Sequence, residues 1–280
     1  MKEKLQHLVY DFLQKISKVY LAGEITQPII TDFDSNLPEA IRKNWAVNMK
    51  KLIMNHGVFE DDVTDESRLF YSMILGNPKG EDQKEVFEQI LLQQEFISYF
   101  AHLEAVLQDI QRYMYKQKPE LLPEEKEIKW KHILELKDFS KLLEHTIDEK
   151  LNKSGYLKIS DLIVKLNSEP FLLKISLKKE LLNDLEEFIL IRNMIIHNGS
   201  KITKDLNEFA SEKYTFGDKF SLDRILLNQL FDLTMIVAVE TYASVCSEIY
   251  EEDKKEAYNN MSFVPENAKN NYKIQKGKRK

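Results

Sequence analysis

Arg192, Asn193 and His197 stand together in the run Ile191-Arg192-Asn193-Met194-Ile195-Ile196-His197-Asn198-Gly199. Their types suit chemistry on a phosphodiester. Histidine is the side chain best matched to moving a proton near neutral pH. Arginine stays protonated and donates forked hydrogen bonds to phosphoryl oxygens. Cleavage of RNA by its own 2′-hydroxyl needs a base, an acid for the departing 5′-oxygen, and positive charge on the phosphorane. Position 192 also continues an apolar stripe of Leu181, Leu185, Phe188/Ile189 and Ile195, where a core helix would place Leu or Ile. A charge aimed at an apolar interior is costly unless paired. The alternative is a capping role: Arg and His in a last turn can bond free carbonyls and favour the helix dipole. On an ideal helix Asn193 and His197 share a face. Arg192 lies about 140° from His197, so both reach one cleft only if the arginine stem bends or the last turn distorts.

The chain around this motif reads as helical. Only eight glycines and seven prolines punctuate 280 residues, and 43% of the residues are hydrophobic. Periodicity predicts helices over 3–22, ending near Gly23, and from Leu37-Pro38-Glu39 to His56-Gly57. A short helix follows near 66–75, and Gly76-Asn77-Pro78-Lys79-Gly80 is a breaker. Further helices are predicted over 81–117, 124–152 and, capped by Ser160-Asp161, up to Leu166. Glu169-Pro170 is expected to open the motif helix, 171–198. A polar connector, 199–220, leads to a last helix, 221–250, apolar on most faces and so expected at the centre. The expected fold is all-α, an antiparallel helical bundle over 79–255 with a helical N-terminal elaboration at 1–78.

The net charge is −6, and the six basic residues of 267–280 (Lys269, Lys273, Lys276, Lys278, Arg279, Lys280) leave the rest of the chain at −12. An acidic body argues against a broad phosphate-binding surface, so any nucleic-acid role must rest on a local site. Residues 256–280 read as a basic, disordered tail. The single cysteine, Cys246, lies on an apolar helix and reads as a buried, inert thiol of a reducing cytoplasm. The sequence shows no signal peptide and no uninterrupted apolar span, so a cytoplasmic protein without a membrane partner is expected. No cofactor and no metal is expected. His102, His132 and His145 lack metal-ligand spacing, and residues 76–80 do not form a P-loop. There is neither a dinucleotide fingerprint nor a Gly-x-Ser-x-Gly elbow.

Arg-Asn-x3-His, closed by Asn198-Gly199 and set between a long apolar helix and a last apolar helix, resembles the signature of HEPN-domain proteins. The helix Phe96-Ile97-Ser98-Tyr99-Phe100-Ala101-His102-Leu103-Glu104 is similar to their other core helix, with far less specificity. The resemblance covers about residues 85–250. It implies a dimerising four- or five-helix bundle and, in many members, a metal-independent endoribonuclease acting in phage defence, abortive infection or toxin–antitoxin systems. It maps Arg192 and His197 onto the catalytic pair and Asn193 onto the auxiliary polar position. RNA, a second copy of the chain and an antitoxin or defence-system protein are the implied partners. A two-fold dimer would bring two Arg and two His into one groove and so supply both acid and base. In toxins paired with a nucleotidyltransferase antitoxin, a tyrosine two residues after the histidine is the modified site; here that position is Gly199. A non-catalytic helical interaction or dimerisation module is the alternative.

Overall fold

The computed structural model describes residues 2–32, 83–122, 138–154, 158–261 and 265–278. The helices expected at 37–56 and 66–75, and most of the one expected from 124, lie outside them. The described residues are almost wholly helical: α1 (Lys2–Asp32), α2 (Gln83–Gln117), a 3-10 turn (Pro119–Leu121), α3 (Phe139–Ser154), α4 (Ile159–Asn167), α5 (Lys179–Asn198), α6 (Lys204–Phe209), α7 (Arg224–Tyr250), α8 (Lys254–Asn260) and α9 (Pro265–Lys278). Among them the one β-type pairing is an isolated bridge between Lys201 and Lys219. The all-α expectation holds.

Contacts divide the chain into two compact units, 1–20 with 95–280 and 21–94. The first twenty residues group with the motif-bearing unit. Gly23 does not end α1, which continues to Asp32. A glycine inside a helix costs only about 1 kcal/mol, too little to stop one by itself. Of the second unit, 21–32 and 83–94 are described, and both are helical.

In the larger unit α7 is the axis. Every residue from Ile236 to Cys246 is buried. By length and composition α7 could cross a bilayer, but 83% of that apolar window is buried in the protein, as in a core helix. Leu5, Val9, Phe12 and Ile16 of α1 form a buried i, i+4, i+7, i+11 stripe. Lys2 pairs with Glu252 at 2.6 Å, and Tyr20 stacks on Phe231 with ring centroids 4.8 Å apart, so α1 runs antiparallel to α7. Arg224 pairs with Glu95, and Lys118 reaches Glu248, so α2 runs parallel to α7. α3 lies antiparallel to α2, through Arg112–Asp148 at 2.6 Å and Lys116–Glu144 at 2.5 Å. Cys246 is buried, and its thiol pKa is pushed up to about 11, chiefly by burial, as an inert thiol should be.

Four further expectations need correction. The motif helix begins at Lys179, not at 171. Residues 171–178 are non-helical, Leu172 and Lys174 taking left-handed φ of 52°, with Phe171, Leu173 and Ile175 buried in alternation, a two-residue period that no helix shows. Asn167 pins this strap, its side chain bonding both the amide and the carbonyl of Ile175 at 2.6 and 3.0 Å. Ser160 does not cap α4; its hydroxyl donates to Glu186 at 2.8 Å. The 199–220 connector is not a polar loop. It carries α6, capped by Thr203, and buries Ile202, Leu206, Ala210, Tyr214 and Phe220. The basic tail is not disordered where it is described: α8 and α9 are helical and lie along α7.

Candidate functional site

The final two turns of α5 hold Arg192, Asn193 and His197. The helix ends at Gly199, whose φ of +54° and ψ of 40° are left-handed. Glycine adopts that conformation without a Cβ penalty, which is why the helix stops directly after the histidine. Asn198 secures the stop by donating to the Lys201 carbonyl at 2.8 Å. The chain after it is anchored by Phe220 N–H to the Ser200 carbonyl (2.8 Å) and Ile202 N–H to the Asp218 carbonyl (2.9 Å). The histidine thus projects from a fixed corner.

Burial along α5 follows a single broad arc. Leu181, Asp184, Leu185, Glu187, Phe188, Ile189, Ile191, Met194 and Ile195 are buried. Arg192 falls inside that arc by helical phase, as the stripe predicted. It is only part-buried, however, because the arc opens to solvent one turn later at Ile196, which is 43% exposed. Its guanidinium Nη2 lies 3.7 Å from a carboxylate oxygen of Glu104 on α2, with both side chains about one-third exposed (31% and 36%). Its Nη1 donates to Asn193 Oδ1 at 3.4 Å. Its Nε is buried and meets no partner among the described residues. Asn193 is part-buried and His197 is exposed.

Arg192 therefore faces inward and His197 outward, about 140° apart. The stem of Arg192 bends far enough for the guanidinium to touch Asn193, whose own face is that of His197. Asn193 is the link between the two sides. Glu104 is the partner that sequence reasoning did not assign. Its signal was the paired charge that a basic residue in an apolar stripe requires, but the sequence does not say which acid supplies it. An exposed pair of this kind is worth about 0–1 kcal/mol, so a phosphate bringing two or three oxygens could displace it.

Among the remaining histidines, His102 on α2 is part-buried, and burial together with Lys15 holds its imidazole pKa below the usual range. His145 lies 4.0 Å from Glu149 on the open face of α3. His132 lies outside the described residues. Among the described residues no three His, Cys, Asp or Glu side chains gather where they could share a metal ion. Comparison of the chain with family models, with curated proteins and with solved structures finds no match.

Proposed function

We propose that this protein is an endoribonuclease of the HEPN type, cleaving RNA without a metal through Arg192 and His197 at a homodimer interface, as a phage-defence or toxin effector. The observation that carries this is the state of the motif side chains. An exposed imidazole, a guanidinium held by one weak pair, and a bridging amide stand on a helix end fixed by Gly199. In the proposed reaction one His197 takes the proton of the 2′-hydroxyl as that oxygen attacks phosphorus. The bond to the 5′-oxygen breaks, and the partner subunit's His197 gives that oxygen a proton. Arg192 stabilises the phosphorane, and Asn193 holds the guanidinium on the histidine's side. The products are a 2′,3′-cyclic phosphate and a 5′-hydroxyl. One chain offers one such histidine, so two copies are needed. The exposed Ile196, between Arg192 and His197 in phase, is an apolar contact such a seam could use.

The test is digestion of an RNA and of its 2′-O-methyl counterpart, with end-group analysis and sedimentation on the same samples. We expect cyclic-phosphate ends, resistance of the methylated RNA, activity that survives EDTA, and a dimer at tens of micromolar. A monomeric protein, or full activity on 2′-O-methyl RNA, would sink the mechanism.

One observation favours a second reading, a non-catalytic interaction module. Arg192 ties α5 to Glu104 of α2 and faces away from His197. In that case the motif is a helix-packing device, and replacing His197 changes nothing measured on RNA.

A further inference from the structure

The C-terminal helix α9 is held in a way its composition does not predict. It is polar, and its Ile274 is 58% exposed, while Tyr272 is buried. It packs along α7, and two polar anchors tie it to α5 as well. The Tyr272 hydroxyl donates to Asp184 Oδ2 at 2.6 Å, and Lys276 Nζ bridges both carboxylate oxygens at 2.8 and 2.6 Å. Asp184 is itself buried and lies on α5, the motif helix. Two anchors one turn apart fix the rotation of α9 about its own axis.

That rotation has a consequence for charge. Lys269, Lys273 and Lys276 are spaced i, i+4, i+7 and share one face. Lys276 is spent on Asp184. Lys273 is exposed, Lys269 is part-exposed, and neither pairs with an acid among the described residues. Lys278, Arg279 and Lys280 continue the basic run in sequence. Of the acids around the anchor, Asp184 is engaged as above and Glu187 by Lys213 at 3.0 Å and Tyr214 at 2.5 Å, while Glu180 and Glu212 line the same pocket as Lys276. On a chain whose remainder carries −12, this ridge is a local concentration of positive charge of the kind an acidic body needs to hold a polyanion. It is also tied to the motif helix through Asp184. Arg192 follows Asp184 by eight residues, about 12 Å along the axis and about 80° around it.

We propose that α9 is a docking ridge for the phosphate backbone of a single-stranded RNA, contacted by Lys269 and Lys273 and oriented by the anchoring of Tyr272 and Lys276 on Asp184. This rests on the ribonuclease reading for its substrate but predicts binding that is separate from cleavage. A ridge of lysines carries no base-reading groups, so it serves register and affinity, not sequence choice.

Binding of a short unstructured RNA oligonucleotide to the full-length His197→Ala protein, followed by fluorescence anisotropy over a salt series, tests it. Each phosphate contact contributes about 0.7 to the slope of log affinity against log salt for a single strand. Lys269→Gln with Lys273→Gln should therefore lower the slope by about 1.4. Lys4→Gln with Lys18→Gln, two exposed lysines of α1, makes the same change in net charge and should leave the slope unaltered. Equal slopes for the native ridge and its double variant would overturn the proposal. So would an equal fall in the α1 control, the absence of RNA binding, or binding to phosphatidylserine vesicles in place of RNA. Lysine-dependent binding with no cleavage by the native protein would leave the ridge standing and remove the nuclease reading.

Discussion

In the N-terminal half of α5, Asp184 and Glu187 are buried carboxylates, and each receives one phenol and one ammonium, from Tyr272 with Lys276 and from Tyr214 with Lys213. In the C-terminal half, Arg192 has one acid at 3.7 Å, one amide at 3.4 Å and a buried Nε that meets no partner among the described residues. His197, a turn and a half further on, stands in solvent. Both halves belong to one helix, the first covered by the connector that carries α6 and by α9, and the second lying where the buried arc opens to solvent at Ile196. A charge kept for stability is surrounded until its hydrogen-bonding capacity is met, because an unmet buried group is costly. A charge kept for a ligand must retain capacity for that ligand. The contrast locates the candidate site better than the identity of the residues does.

The largest expected effect comes from removing the less satisfied group. His197→Ala should lower RNA cleavage roughly a hundred- to ten-thousand-fold, the range that general acid–base groups contribute. It should move stability by less than about 0.5 kcal/mol, since the side chain is exposed. Arg192→Ala should also abolish cleavage, at about 1 kcal/mol in stability for the lost pair and packed stem. Rate measurements beside cooperative melting curves decide this. If either variant unfolds, its half of the helix is no different from the other, and the comparison fails.

The opposite pattern is expected at the satisfied end. Glu187→Ala leaves the Tyr214 hydroxyl buried without its acceptor and should cost about 3 kcal/mol in urea denaturation. The cleavage rate of the fraction that remains folded should be close to native, because Glu187 lies ten residues, about 15 Å along the axis, from His197. A loss of cleavage as large as that of His197→Ala would show that the two halves act as one site.

The extent to which this was legible varies with the kind of information each feature uses. The stripe of α1 and the all-round apolarity of α7 are local periodicities, and they specify their helices directly. The stop at Gly199 is equally local, because a left-handed residue after His197 is what Asn-Gly supplies. The strap at 171–178 is only partly legible: Phe171, Leu173 and Ile175 are buried in alternation, but Leu172 between them is apolar too, which blurs the period in the sequence. The tail has the composition of a disordered segment, and its helix rests on packing against α7 and on a distant carboxylate, Asp184, 88 residues before Tyr272. Glu104 is a pairing across 88 positions as well, and no spacing rule reaches that far.

Asp232 sharpens the comparison with the smallest effect. It is another buried carboxylate, on α7, but no phenol or ammonium among the described residues meets it. Burial pushes its pKa up to about 6. An unfolded aspartate titrates near 3.9, so between about pH 4 and 6 the folded protein holds a proton that the unfolded chain has released. The sign is the reverse of the usual carboxylate. Stability attributable to this group is highest below pH 4, falls as pH rises through 6, and stays low above it. Asp232→Asn should remove that fall, making the variant more stable than the native protein at pH 7 and no more stable at pH 4. Asp184→Asn, whose carboxylate is bonded to Tyr272 and Lys276, should instead lower stability at pH 7. Urea midpoints for both variants at the two pH values separate the cases. If Asp232→Asn destabilises the protein at pH 7, the carboxylate is satisfied in solution, and burial alone does not set its charge.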